Sequence, residues 1–88
     1  MSDGDRLQRM QDFLGARLGG AWEIEQSPMA RIVVAMRRWG DGTSDTVYAL
    51  DNGYAYGHRD TAAKRTVMET EGLISAVVQA MGDWVGPD

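Results

Sequence analysis

The sequence predicts a small α+β domain: an N-terminal helix, an antiparallel meander of four or five strands and a C-terminal helix, with both helices packed on one sheet face. Apolar residues recur at helical spacing near both ends of the chain, and short strand-like runs separated by turn signals occupy the middle. The 88 residues suffice for one domain, predicted over 1–88, and residues 1–4 and 86–88 are expected to be loose termini.

The two helices are predicted from apolar stripes and from their end signals. Asp3 or Asp5 can cap the first helix by accepting a hydrogen bond from a free backbone N–H, and Gly19–Gly20 ends it. Thr70 is the predicted cap of the last helix. The first stripe consists of Leu7, Met10, Leu14 and Leu18, with Phe13 at its edge, and the second of Leu73, Ile74, Val77, Val78, Met81, Trp84 and Val85.

Strand character is concentrated between the helices. The Asn52–Gly53 pair favours a two-residue hairpin loop, because a type I′ turn needs positive φ at both of its central positions. Two further turns are expected at 27–29 and 40–44. The predicted strands are 22–25, 31–39, 46–50 and 54–58, and 64–69 is either a fifth strand or an irregular lead-in to the last helix.

The predicted turns set a register, and the register decides which side chains share a face. A two-residue loop at Asn52–Gly53 places Leu50 opposite Ala55, and loops at 40–44 and 27–29 extend the same register to the other strands. Small residues on the resulting core face would let a helix approach closely. This face is predicted to consist of Trp22, Ile24, Ile32, Val34, Met36, Tyr48, Leu50, Ala55 and Gly57.

The opposite, open face is predicted to have an apolar and aromatic centre inside a rim of charges. That anatomy is typical of a protein–protein contact, although Val and Tyr also favour strands on an ordinary surface. Its members are Glu23, Glu25, Arg31, Val33, Ala35, Arg37, Val47, Ala49, Asp51, Tyr54, Tyr56 and His58. The predicted partner-binding residues are Tyr54 and Tyr56 as anchors, Val33 and Val47 in the centre, and Arg31, Arg37 and His58 towards the rim.

The preferred functional hypothesis is a non-catalytic module that binds another protein, or itself as a homodimer, through this face. A small adaptor, an immunity-type inhibitor and a phage-type modulator of a host protein all fit such a module. An alternative is a ligand-binding domain or minor enzyme with a pocket between the sheet and the C-terminal helix, using Tyr48 or His58. A second alternative is nucleic-acid binding by the segment 37–39, Arg-Arg-Trp, which the neighbouring carboxylates disfavour.

Residues that could support catalysis or metal binding are sparse. His58 is the one histidine; Arg59 next to it is expected to point to the opposite face, and no substrate pocket is indicated by the sequence. The segment 41–45 lacks the regular ladder of oxygen ligands that a calcium loop needs. Without cysteine there is no thiolate nucleophile or metal ligand. The sequence therefore predicts no enzyme and no cofactor.

Composition and charge limit the classes of partner that the chain is expected to bind. Hydrophobic residues make up 43% and charged residues 25% of the chain, as in ordinary globular proteins, and the net charge of −4 gives no attraction to nucleic acid or an anionic membrane. No apolar run approaches the length of a membrane span, and the acidic N-terminus lacks the apolar core of an export signal. We therefore expect a cytoplasmic protein. Eight arginines against one lysine suggest a GC-rich bacterium or its phage.

Overall fold

A computed structural model describes residues 3–27 and 32–84 of the chain. Arg31, Val85 and most of the turn predicted at 27–29 lie outside the described residues. The elements in chain order are α1 (Asp3–Leu18), β1 (Glu23–Ser27), β2 (Ile32–Arg38), β3 (Ser44–Leu50), β4 (Tyr54–Asp60), β5 (Thr66–Leu73) and α2 (Ile74–Asp83).

The strands form one antiparallel sheet in the order β1-β2-β3-β4-β5. The predicted fold class is confirmed, and the fifth strand exists, although it runs later in the chain than 64–69. Helix α2 packs across β4 and β5, and α1 packs against α2 and β1. Both helices therefore bury their stripes in one core on one side of the sheet, as an amphipathic helix requires.

Helix α1 has the predicted apolar stripe and the predicted end, but it already contains Asp3 and Asp5, so the cap predicted for one of them is not confirmed. Leu14 is fully buried, and the other residues of the predicted stripe pack around it in the core. Gly19 and Gly20 both have positive φ, 77° and 81°, which glycine adopts without the clash of a Cβ. The guanidinium of Arg37 donates hydrogen bonds to the carbonyls of Leu18 and Gly19, at 2.5 and 2.6 Å, and so satisfies acceptors at the end of the helix.

Helix α2 begins at Ile74, so the prediction that Thr70 caps it was wrong. Thr70 instead pairs with Gly57 inside the sheet, because β5 remains paired with β4 as far as Leu73. Leu73 precedes the helix without a side-chain cap, and the backbone N–H of Ile74 donates to the Gly53 carbonyl, 3.0 Å away. Leu73 therefore belongs to the sheet and not to the helical stripe.

The β3–β4 turn contains one residue more than predicted, and this exchanges the two faces of β3. Asn52 does not have the positive φ that a type I′ turn requires. The chain instead turns from Leu50 to Gly53, where the Gly53 N–H donates to the Leu50 carbonyl and Gly53 takes φ 88°. Ala49 consequently lies opposite Ala55, and Leu50 does not. Since side chains alternate with a period of two, β3 turns its other side to the core.

The β1–β2 register also differs, by an odd number of residues. Ile24 lies opposite Ala35 and not opposite Ile32. Between β2 and β3 the difference is even: Val34, and not Met36, lies opposite Tyr48, so their predicted shared face is preserved. The two odd shifts together invert the central strands, while β1 and β4 keep their predicted sides.

The core is therefore made of the smaller side chains of the central strands. The predictions that Val33, Val47 and Arg37 lie on the open face were wrong: the two valines are buried, and Arg37 lies on the helix side. Gly57 does allow the close approach predicted for a helix, since a Cβ built there would lie 2.9 Å from Cγ1 of Val77. The buried hydrophobic residues are Leu14, Trp22, Val33, Ala35, Val47, Ala49, Ala55, Val77, Val78 and Met81.

Candidate functional site

The face of the sheet away from the helices is the candidate site. We call it the open face. Three rows run across all five strands on this face, because residues paired between antiparallel neighbours point to the same side. A shorter fourth row beyond them consists of Arg38, Ser44, Asp60 and Thr66. The central row is Glu25, Val34, Tyr48, Tyr56 and Glu71, from β1 to β5.

Two further rows flank the central row. The first begins and ends with glutamate: Glu23, Met36, Thr46, His58 and Glu69. The second lies beside the β3–β4 turn and is mostly apolar: Ser27, Ile32, Leu50, Tyr54 and Leu73. The open face thus has an apolar and aromatic centre on β2, β3 and β4, with carboxylates on both outer strands.

The exposed large hydrophobic side chains of the described residues are all on this face. Leu73 is 64% exposed, and Tyr54 is 40% exposed; the others are Met36, Tyr48 and Leu50. Ile32 and Val34 beside them are half-buried. Single exposed apolar residues are common on proteins, whereas a contiguous exposed apolar group is typical of interaction surfaces.

The aromatic centre is an ordered cluster. The ring centroids of Tyr48 and Tyr56 are 6.1 Å apart, and each lies within 6 Å of the His58 ring, at 5.9 and 5.8 Å. These distances are typical of favourable aromatic pairs. Three rings held against one another present a rigid, amphipathic surface, and such a surface loses little conformational entropy when a partner covers it.

The tyrosines of β4 lie beside the glutamates of β5. The Tyr56 hydroxyl donates to Oε2 of Glu69 at 2.8 Å, and this bond raises the pKa of Tyr56 because it favours the neutral phenol. Partial desolvation, followed by the neighbouring Glu71 carboxylate, raises the pKa of Tyr54. The Tyr56 hydroxyl therefore holds the Glu69 carboxylate beside the aromatic centre.

His58 lies beside Asp60 on the open face. Its Nδ1 lies 3.0 Å from Oδ2 of Asp60, close enough for an ion pair when the imidazole is protonated. The contact is poorly directed, however, and Nδ1 has no hydrogen-bond partner within the described residues. Arg59 points away, as its position in the strand predicts. Within the part of the chain that the structure describes, His58 therefore has no hydrogen-bonded partner that orients its ring.

An ionic and aromatic cluster on the helix side was missed from the sequence. Arg59 donates to the Asp45 carboxylate from Nε at 2.6 Å and from Nη2 at 3.0 Å, and Trp39 Nε1 donates to the same carboxylate at 3.0 Å. Nη2 of Arg59 also donates to the Met81 carbonyl, which joins the cluster to α2. In the sequence, Asp45 drew attention only as part of the segment 41–45, which lacks the pattern of a calcium loop. Its partner lies fourteen positions away, so local spacing carried no signal.

The cavities give no support to the alternative of a pocket between the sheet and the C-terminal helix that uses Tyr48 or His58. Those two side chains lie on the open face, away from α2, so the prediction that Tyr48 belongs to the core face was wrong. A mostly apolar cavity of about 300 Å³ lies between α1, the β3–β4 turn and the start of α2, where Met10, Phe13 and Ile74 line it. A smaller cavity of about 200 Å³ adjoins the Arg59 cluster.

Three of the predicted partner-binding residues come together on the open face: Tyr54, Tyr56 and His58. Val33, Val47 and Arg37 lie on the other side, and Arg31 is outside the described residues. The residues that replace them were placed elsewhere by the sequence analysis, or were not singled out. They are Ile32, Val34, Met36, Tyr48, Leu50, Leu73, Glu69 and Glu71.

Two kinds of feature are absent from residues 3–27 and 32–84. No helix there has the length and apolar character needed to cross a membrane. No group of three or more histidine, aspartate or glutamate side chains there could hold a metal ion.

Comparison with protein-family models, with curated protein sequences and with solved structures finds no match to this chain. The function therefore has to be argued from the geometry of the open face.

Proposed function

We propose that this protein is a non-catalytic protein-binding module that acts through its open face. The observation that carries the proposal is the gathering of Met36, Tyr48, Leu50, Tyr54 and Leu73, all at least one-third exposed, on one side of one sheet. A lone antiparallel sheet can leave one face in water, but that face is then usually polar. Burial of this apolar surface against a partner would be favourable.

The composition of the face supports a protein partner. Tyrosine is enriched among residues that dominate binding energies, and Tyr48, Tyr54 and Tyr56 are the three tyrosines of the chain. The carboxylates on β1 and β5 form a polar rim, as expected around an apolar interface core. They also oppose binding of nucleic acid, whose phosphates they would repel.

The test is the effect of open-face substitutions on association. Tyr56→Asp and Leu50→Asp each put a charge into the apolar centre, so each should abolish self-association or the capture of a partner from the cells that naturally make the protein. Analytical ultracentrifugation measures the first, and affinity capture followed by mass spectrometry measures the second. Gln79→Asp, at an exposed position of α2, is the matched control and should change neither.

Helical content by circular dichroism should remain unchanged in all three variants, so that lost association is not mistaken for lost folding. Association that persists in both open-face variants while their fold is intact would overturn the proposal.

A further inference from the structure

The carboxylates of the open face form two walls. Glu23 and Glu25 point to the open face from β1, and Glu69 and Glu71 point to it from β5, at the ends of the same two rows. Between the walls, β2, β3 and β4 supply apolar and aromatic side chains. We call this strip the acid-walled lane. It runs parallel to the strands.

The width of the lane suits an α-helix. Neighbouring strands lie about 4.8 Å apart, so the outer strands of a five-stranded sheet are separated by about 19 Å. A helix with its side chains is about 10–12 Å across, which leaves a few ångströms on each side for extended lysine or arginine side chains. Residues two apart in a strand are about 6.8 Å apart, so the three rows span about 14 Å, or between two and three helical turns.

The Glu69 carboxylate on β5 is held in place beside the lane. Glu69 accepts one hydrogen bond, from the Tyr56 hydroxyl, through Oε2. An ionised carboxylate has about four acceptor positions, so this bond fixes the side chain and leaves capacity for a guanidinium or ammonium group. Glu71 stands on the same side of β5, two residues further along the strand.

A second copy of this chain is a poor occupant of the lane. In an aligned packing of two sheets, the outer strands of one copy lie over the outer strands of the other. Glutamates stand on both outer strands, so either choice of strand order brings acid against acid. An anionic membrane surface is disfavoured by the same charges and by the net charge of −4.

From this charge pattern we infer that the acid-walled lane binds a basic amphipathic helix of a partner protein, with its apolar stripe on Val34, Tyr48 and Leu50 and its lysines or arginines against the two walls. The inference rests on the proposed function and specifies its partner class. Helices with an apolar stripe flanked by basic residues are a recurrent form of protein ligand, recognised by anchors at positions i, i+3, i+4 and i+7.

Three synthetic peptides test the inference. Each is a helix of about 18 residues with the same leucine stripe, flanked by lysine, glutamine or glutamate. Calorimetric titration of the whole protein should show the lysine-flanked peptide binding at least about tenfold more tightly than the glutamine-flanked one, and the glutamate-flanked peptide binding most weakly. Added salt should reduce the difference, because it screens charges at the surface.

Changing the charge of the wall glutamates tests whether the preference among the peptides arises at the lane. The double variant Glu25→Lys/Glu71→Lys should remove the preference for the lysine-flanked peptide, because its two ammonium groups balance the two carboxylates that remain on the walls. If this reversed pair fails to fold, the neutral variant Glu25→Gln/Glu71→Gln should weaken the preference. The matched control, Asp12→Lys/Asp83→Lys, makes the same change of charge on exposed residues of α1 and α2 and should keep the wild-type order.

Failure of the inference is distinguishable from failure of the proposed function. The inference would be overturned if all three peptides bound equally, if none bound, or if Glu25 and Glu71 did not influence the order. None of these results would affect the association assay of the open-face variants, which tests the proposed function separately. Lysine-flanked binding that survives Tyr48→Asp in a folded protein would place the site elsewhere and contradict both.

Discussion

Glu25 and Glu71 lie at opposite ends of one row of the sheet, with Val34, Tyr48 and Tyr56 between them. The two glutamates are far apart in the chain and come onto one surface only through the pairing of five strands. Because every pairing in the row fixes the next, the surface depends on register as much as on composition.

Adjacent valines of β2 provide a direct test of which side faces the core. Val33 is buried and Val34 is half-buried on the open face. Val33→Thr places a hydroxyl in the core and should lower the free energy of unfolding by about 1–3 kcal/mol, whereas Val34→Thr should change it by less than about 0.5 kcal/mol. Urea denaturation measures both. A larger loss from the Val34 variant would contradict the register.

The ion pair between Asp45 and Arg59 is inside the core, with Asp45 0% and Arg59 8% exposed. Asp45→Ala leaves the guanidinium buried without its partner, so the free energy of unfolding should fall by about 3–5 kcal/mol. Asp12→Ala, at an exposed position of α1, is the control and should cost less than about 1 kcal/mol. Similar denaturant midpoints for the two variants would show that the pair is not buried in solution.

Gly57 is the point of closest approach between β4 and α2. A Cβ there would lie 2.7 Å from the sulfur of Met81 and 2.9 Å from Cγ1 of Val77, and the branched valine on a helix cannot easily move aside. Gly57→Ala should therefore destabilise the protein by about 1–3 kcal/mol. Gly40→Ala is the matched control, since nothing lies within 4 Å of a Cβ placed there, and should be neutral or slightly stabilising. Equal effects would contradict the packing of α2.

The pKa of Tyr56 tests the contact with Glu69. It should exceed the ordinary tyrosine value, because the hydrogen bond favours the neutral phenol, and Glu69→Ala should bring it back towards that value. Since the pKa is higher in the folded state, the contact stabilises the fold below about pH 10, and that contribution is lost as the pH rises through the folded pKa. Titration of the Tyr56 ring carbons by NMR measures the shift. Glu25→Ala should not alter it.

The overall architecture could be predicted because its signals are local. The stripe around Leu14 recurs at helical spacing, the Gly19–Gly20 pair ends the helix, and the order of strands follows from short connections. The position of Gly57 under α2 was also predictable, since a small residue on a core strand permits close packing.

The faces of the central strands could not be predicted from the same signals. Residues 32–36 are apolar at every position, so a period of two does not distinguish the buried side from the exposed side. The choice then depended on turn lengths, and the turn at Asn52–Gly53 contains one residue more than the dipeptide suggested. Glu69 and Glu71, spaced by two, were a local sign that β5 has a polar outer side.

Site-specific photo-cross-linking is the most direct test of the claim that the open face binds protein. A photoreactive amino acid at Val34, in the middle of the open face, should form covalent adducts with a partner in the cells that naturally make the protein. The same group at Gln79, exposed on α2, should form none of these adducts. Adducts at Gln79 without adducts at Val34, or no adducts at either position, would contradict the account.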